Sequence, residues 1–459
     1  MIKIFNTLSE KKENLPSRRP LRIFVCGPTV YDNPHIGHAR TYIAFDAFAK
    51  YLKSRKINIF CLQNITDIDD KIIRRANEQK ISALKLAKKF EKEYYRFEKL
   101  AGIKVDKHAP ATKYIPQILK QVKTLIKKGF AYKIEGDGYY FNIAKFSDYG
   151  KLSHRTALQA EDATSRIDEN VQKKNKGDFC LWKFKKGADE PSWETDIGEG
   201  RPGWHIEDTA ITEYHFGPRY EIHGGGVDLK FPHHEAEIAQ QESASGKKPM
   251  VKIWMHTGAL LADGQKMSKS LHNFITVENF LKQHSPETLR LMILMNHYRS
   301  PFNFKEEVAG HADNSWKRVQ NFIYRLYGIK SKLNLKLKIN ELINSAEKEF
   351  HLAMENDFNT PEALAAVFEL INKTETDIKR LNLNDAKKIA KFIIKTFGSM
   401  GFKLDKKLKI SVQIKARILE RELFRKNKQF IQSDALRKEI EKLGYVIEDT
   451  PNGPMILKK

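Results

Sequence analysis

VCGPTVYDNPHIGHAR, from Val25 to Arg40, is the stretch on which the fold turns. The apolar run Ile23-Phe24-Val25 leads into it and has the character of a buried strand. Beyond it, Ala39, Tyr42, Ile43, Ala47, Tyr51 and Leu52 recur at helical spacing, which predicts an amphipathic helix over about 39–55. The tetrapeptide His35-Ile36-Gly37-His38 therefore lies where a strand gives way to a helix. Free backbone N–H groups and the helix dipole favour a phosphate at such a point. Gly37 lets a nucleotide approach the backbone. His35 and His38, three apart, share a helix face and can reach one phosphate group. On their own, two histidines at a helix start are ordinary polar residues, so their meaning depends on the rest of the chain.

The next apolar segment, INIFCLQNI at 57–65, reads as a second strand. Strand, helix and strand around a phosphate-type turn open a doubly wound, Rossmann-like α/β domain. Residues 68–101 read as helical, with Leu84, Ala87 and Phe90 on one face, and a further helix runs from Ile115 to Lys128 and stops at Gly129. A hairpin is expected over 130–142, turning at Gly136-Asp137-Gly138. Residues 145–200 are polar and loop-rich, which places an insertion at about 115–200. Tyr220-Glu221-Ile222 and Lys252-Ile253-Trp254-Met255 are further strand candidates.

After 310 the pattern becomes helical. Trp316, Val319, Phe322, Ile323 and Leu326 share a face, as do Leu364, Val367, Phe368 and Ile371. Basic helices are expected from Ser411 to Lys428 and from Ser433 to Leu443, the second capped by Ser433 before Asp434, and Lys330 to Lys338 reads as a linker. The expected organisation is an α/β catalytic domain at 1–310, a helical bundle at 311–400 and a small C-terminal module at 401–459.

The chain has 459 residues, and 81 Lys and Arg against 57 Asp and Glu give a formal charge of +24. A field of that sign attracts polyanions such as nucleic acid, although a Lys-, Ile- and Asn-rich composition also follows from an AT-rich genome. No apolar run is long enough to span a membrane, and no secretory signal is expected. Three cysteines, Cys26, Cys61 and Cys180, argue against a disulfide framework and for a reducing, cytoplasmic setting.

A second station lies at DGQKMSKS, Asp263 to Ser270. Gly264 marks a turn, and Lys266 and Lys269 on a mobile loop suit developing charge on phosphate oxygens. A third is made of Cys26, Gly203-Trp204-His205-Ile206-Glu207-Asp208 and Phe231-Pro232-His233-His234-Glu235-Ala236-Glu237. His233 and Glu237, four apart on a helix, point to one place. Cysteine, histidine and carboxylate together form a zinc-type donor set.

The pair of motifs, HIGH at 35–38 and KMSKS at 266–270, resembles the class I aminoacyl-tRNA synthetases. Within that class the segments VCGPTVYD (25–32), NITDIDDKI (64–72), WKFKKGADEPSWETDIGEGRPGWHIE (182–207) and HGGGVDLKFPHHEAEIAQ (223–240) are similar to the cysteinyl-tRNA synthetase family. The resemblance implies ATP-dependent activation of L-cysteine to cysteinyl-adenylate and transfer to the 3′-end of tRNA(Cys). It implies that His35, His38, Lys266 and Lys269 act on the phosphates, with Mg²⁺ accompanying ATP. By the same resemblance Gly37, Asp228, Ser268 and Lys269 contact ATP, and Cys26, Thr66, Trp204 and His233 form the cysteine pocket. Zinc would be held by Cys26, Asp208, His233 and Glu237. A soft thiolate prefers that ion over the near-isosteric alcohol of serine, which shape alone rejects poorly.

Two positions depart from the family pattern. Asp208 stands where the family usually has cysteine, which makes the donor set harder and its hold on zinc weaker. His272 stands where glycine is usual. The tail also resembles the family, through Asn356-Asp357-Phe358-Asn359-Thr360-Pro361, Arg437, Gly444 and the run from Glu448 to Gly453. That implies contacts with the tRNA stem and anticodon, for which Arg417, Arg421, Arg425, Lys426 and Lys428 are candidates. Alternatives are a cysteine ligase with a small amino-sugar acceptor and a catalytically silent tRNA-binding paralogue. Nothing demands a dimer, and a monomer without membrane association is expected.

Overall fold

A short hairpin of Lys3–Asn6 (β1) and Lys11–Asn14 (β2) precedes the first buried strand, Leu21–Val25 (β3). The computed structural model describes residues 1–155, 171–187, 190–266, 274–331, 337–450 and 453–459. After β3 come the helix Ile36–Ser54 (α1), strand Ile59–Ile65 (β4), helices Asp70–Glu78 (α2) and Ala83–Ala101 (α3), and strand Lys107–Pro110 (β5). Helix Ile115–Lys127 (α4) leads into a four-stranded antiparallel sheet of Ala131–Ile134 (β6), Gly138–Phe141 (β7), Phe179–Phe184 (β8) and Gly200–Pro202 (β9). Helix Trp204–Phe216 (α5), strand Tyr220–Gly226 (β10), helix Glu235–Ser245 (α6) and strand Val251–Thr257 (β11) return the chain to the first sheet.

That sheet is parallel throughout, in the order β11-β10-β3-β4-β5. β3, β4, β10 and β11 are buried almost throughout, as strands of a parallel sheet covered on both faces are. The chain works outward from β3 to β5 on one side and adds β10 and β11 on the other. The strand order thus reverses beside β3, at the carboxyl end where doubly wound sheets open a crevice. Leu260–Ala262 (β12), Gln265–Lys266 (β13) and Phe302–Phe304 (β14) form a smaller sheet, and Gly264 (φ +77°) makes the β12–β13 turn.

Several expectations need correction. The helix expected from about 39 starts at Ile36, so the HIGH tetrapeptide forms its first turn. The single helix over 68–101 is two, because Lys80 takes a left-handed φ of 54° and Ser82 caps a new start. On α3 the buried stripe is Ala83, Leu86, Ala87, Phe90, Tyr94 and Phe97, whereas Leu84 is exposed. The stretch read as loop at 145–200 contains β8, whose Leu181 and Trp182 are fully buried.

Two compact units are distinguishable: residues 1–286, 296–304 and 355–358, and residues 287–295, 305–354 and 359–459. In the first, buried Asp357 accepts from the Phe5 N–H at 2.8 Å, Tyr298 Oη at 2.6 Å and Arg299 Nε at 2.8 Å. Removing that carboxylate strands a guanidinium and a buried hydroxyl. Asp357→Ala is therefore expected to cost about 3 kcal/mol in chemical denaturation, and an unchanged midpoint would refute this.

The second unit is helical. Glu306–Gly328 buries Trp316, Val319, Phe322, Ile323 and Leu326, and Thr360–Thr376 buries Leu364, Val367 and Ile371. Its C-terminal part pairs helices Val412–Lys426 and Phe430–Lys442 with the hairpin Tyr445–Thr450 and Gly453–Lys458. The second helix begins three residues before Ser433, which is buried inside it rather than capping it. The arginines expected to meet phosphates make ion pairs within the chain: Arg421 and Arg425 pair with Asp449, which Arg437 also reaches, and Arg417 pairs with Glu439. Lys426 and Lys428 are exposed. Among the described residues no helix is long and apolar enough to cross a membrane.

Candidate active site

A cavity of about 460 Å³ opens at the carboxyl ends of β3, β4, β10 and β11. Cys26, immediately after β3, lines it, as do His35, Gly37 and His38, Thr66 after β4, Trp204 and Asp208 from α5, and Asp228 and His233 from the turns after β10. Two glycines make room for this convergence. A Cβ on Gly27 would lie 1.7 Å from the Asn64 carbonyl oxygen, and one on Gly226 would lie 2.5 Å from Asp228 Oδ1.

At one end sits the start of α1, whose cap is unusual. His35 is the N-cap, and its Nδ1 accepts from the His38 N–H at 3.3 Å, while His38 Nδ1 accepts from the His35 N–H at 3.4 Å. The two rings stack with centroids 3.7 Å apart. Burial lowers His35 to about 4, and burial with the neighbouring His35 depresses His38 as well, so both are neutral at pH 7. With each Nδ1 used as an acceptor, the proton of each ring resides on Nε2. The pair thus carries two fixed N–H donors at a helix start, a phosphate-binding arrangement. The loop is held from the other side by residues after the lysine motif. The Ile36 N–H donates to the Ile275 carbonyl at 3.1 Å, and the Val277 N–H donates to the Pro34 carbonyl at 2.9 Å.

At the other end Cys26, Asp208, His233 and Glu237 are all buried, and their donor atoms lie within 4.8 Å of one another. His233 Nε2 is 3.0 Å from Asp208 Oδ2 and 2.9 Å from Glu237 Oε1, and Cys26 Sγ is 3.9 Å from Glu237 Oε1. Acidic side chains are concentrated here. Burial, then Glu237 and Asp208, push the Cys26 thiol well above its usual range. Burial raises Glu237 to about 8, and burial and Asp208 raise Glu207. Burial opposes a charged His233, yet the two carboxylates outweigh it and hold that imidazole at about 10. Asp208 Oδ1 is buried without a hydrogen-bond partner. A thiol, an imidazole and two carboxylates crowded together, with an orphaned oxygen among them, fit a divalent cation that would displace the protons.

The sequence-level candidates Cys26, Thr66, Trp204, Asp208 and His233 are thus brought into one wall, and His35, Gly37, His38 and Asp228 into the same cavity. Trp204 is not plain core. It is half-buried and stacks on His233 with centroids 4.3 Å apart. Thr66 gives its hydroxyl to Glu207, which also accepts from Asn64 Nδ2 at 3.2 Å. Lys266 ends β13, while its side chain, Ser268 and Lys269 lie outside the described residues.

The sequence reading missed His223 and His234. Their Nε2 atoms stand 3.2 and 3.1 Å from Cys26 Sγ, and with Cys26 and Glu237 they form a second overlapping donor set. His234 Nδ1 continues to His256 Nε2 at 2.8 Å, and His256 Nδ1 to Thr7 Oγ1 at 2.8 Å. The available signal was His223 heading the triple glycine on β10. Arg40 was also missed. Its buried guanidinium donates to the Gly258 and Ser300 carbonyls and lies over the Phe302 ring.

The chain matches the family model for the tRNA synthetases class I (C) catalytic domain over residues 13–314, and the DALR domain over 349–404. It is 42% identical to a cysteine–tRNA ligase of Thermococcus gammatolerans, covering 98% of this chain and 98% of that one. It is 43% identical to the cysteine–tRNA ligase of Pyrococcus abyssi, covering 98% of this chain and 97% of that one. Among solved structures, Mycobacterium tuberculosis methionyl-tRNA synthetase in complex with methionyl-adenylate is similar with a TM-score of 0.62. That likeness covers 83% of this chain and 90% of that chain at 14% identity, and it bears on the fold.

Proposed function

The chain belongs to the cysteine–tRNA ligases, class I aminoacyl-tRNA synthetases, and we propose that the cavity between His35 and Cys26 is where it activates L-cysteine with ATP. The activity is the joining of cysteine to tRNA with conversion of ATP to AMP and diphosphate. The observation that carries the site reading is a single cavity with two differently equipped ends, neutral imidazole donors at a helix start and a buried thiol–imidazole–carboxylate set.

On this reading a carboxylate oxygen of cysteine attacks the α-phosphorus of ATP, and the bond to diphosphate breaks. The N–H groups of His35 and His38 donate to phosphate oxygens from one side, and Lys266 and Lys269 approach from the other, so charge is met by preset donors as it develops. Asp228 accepts from the ribose hydroxyls. Thr66 and Trp204 shape the amino-acid end. In the second step a hydroxyl of the terminal tRNA ribose attacks the carbonyl carbon, its proton is lost to the departing phosphate, and AMP leaves.

Cys26, Asp208, His233 and Glu237 would hold zinc, which supplies selective affinity for a thiolate over an alcohol. The support is the buried cluster of a thiol, an imidazole and two carboxylates, with the orphaned Asp208 oxygen among them. Protein purified without chelator is expected to carry about one equivalent of zinc; less than about a tenth would overturn the assignment. We read the protein as a cytoplasmic monomer; the cytoplasmic setting is in keeping with three buried cysteines that form no disulfide with one another. The direct test of function is pyrophosphate exchange into ATP across all amino acids without tRNA. Exchange with cysteine and none with serine is expected; no exchange from folded protein would remove the reading.

A further inference from the structure

Helix α2 begins beside the cavity with Asp69 as its N-cap, followed by Asp70 and Lys71. Both acidic neighbours of Lys71 have hydrogen-bond partners other than its ammonium, whose charge only partly offsets the burial that raises the Asp69 carboxyl. Asp69 Oδ1 accepts the backbone N–H of Lys71 at 2.8 Å. Asp70 pairs with buried Arg201 on β9 and with Lys183 on β8 at 3.1 Å, which pins the start of α2 to the inserted sheet. The Lys71 ammonium lies over the Trp204 ring, 5.6 Å from its centroid, and the same ring stacks on His233. Lys71 is exposed and yet lines the cavity, so it stands at the mouth on the amino-acid side. Among the described residues no carboxylate pairs with its Nζ.

A preset cation at a cavity mouth calls for an anion. The cysteine carboxylate is a poor candidate, because it must be free to attack the α-phosphorus, and an ammonium clamped on its oxygens would reduce its nucleophilicity. The diphosphate and α-phosphate belong to the histidine end. What arrives at the mouth only in the second step is RNA. Its terminal ribose must enter to reach the carbonyl carbon while its phosphodiester stays at the rim. We propose that Lys71 is a positioning residue for transfer, holding the 3′-terminal phosphodiester of the tRNA over Trp204 so that the ribose hydroxyl faces the activated cysteine. This rests on the reading of the cavity as the cysteine-activating site.

The test separates the two half-reactions in the full-length protein, using Lys71→Ala and Lys71→Arg. Pyrophosphate exchange and the KM for cysteine are expected to stay within about twofold of the unsubstituted chain in both variants. Single-turnover transfer from preformed enzyme-bound cysteinyl-adenylate to tRNA is expected to fall by about tenfold or more in Lys71→Ala and to recover mostly in Lys71→Arg, since one phosphate contact is lost and regained. The dependence of tRNA affinity on salt should lose about one contact's worth of slope in Lys71→Ala. Unchanged transfer would overturn the proposal, and so would a raised KM for cysteine with transfer intact, which would assign Lys71 to the carboxylate. Absence of exchange in the unsubstituted chain would overturn the cavity reading itself, a failure distinguishable from both.

Discussion

Cys26→Ser is expected to leave the purified protein with less than about a tenth of an equivalent of zinc and to lower cysteine-dependent pyrophosphate exchange by about three orders of magnitude. Cys26 is the only sulfur in its donor set, which otherwise offers an imidazole and two carboxylates. Asp208 stands where the family usually has a second cysteine, so this chain has less soft-donor affinity in reserve. Serine keeps the size of the side chain and its place beside His223 and His234, so the fold should survive. A hydroxyl remains protonated and is a hard, weak donor to zinc. Metal analysis and exchange on the same preparation would check both halves; near-normal exchange from zinc-free protein would show that the thiol of the substrate is recognised without the ion. Asp208→Cys should move in the opposite direction and retain zinc longer against a chelator.

Lys269→Ala is expected to lower exchange by about two orders of magnitude or more, with little effect on the KM for cysteine. On the proposed reading its ammonium meets charge that grows on the phosphate oxygens only as the diphosphate departs, so its loss should appear in turnover. The histidine end cannot substitute, because burial depresses His35 and His38 and keeps both neutral. They can donate hydrogen bonds but bring no full positive charge. An unchanged exchange rate would refute the role of Lys269. Lys269→Arg tests whether charge alone suffices; a guanidinium is a planar fork rather than a compact ammonium on a flexible stem.

Much of the molecule was legible in the chain. Apolar runs at 21–25 and 59–65 with a helical period between them dictate a parallel α/β opening, because a strand's two-residue repeat and a helix's 3.6-residue repeat are local properties. The HIGH tetrapeptide, the KMSKS pentapeptide and the grouping of Cys26, His233 and Glu237 were legible too, because each chemistry needs particular residue types. Breaks and partners were less so. The interruption at Lys80 rests on one backbone angle. The burial of β8 rests on covering elements from other parts of the chain. The arginines near 421 read as free cations until Asp449, 28 residues on, consumes them.

The sequence specified which chemical groups are present and the local elements that carry them. Tertiary structure specified what those groups face. It set Cys26 3.2 Å from His223 and 3.1 Å from His234, across 197 and 208 residues of chain. It tied the HIGH turn to the segment after the lysine motif through Pro34 and Val277, and it laid Lys71 over Trp204. Those distances follow from the reversal of strand order beside β3, which brings the ends of β3, β4, β10 and β11 to one rim. Strand order is a long-range choice made by packing across the whole sheet, and no short window of sequence contains it.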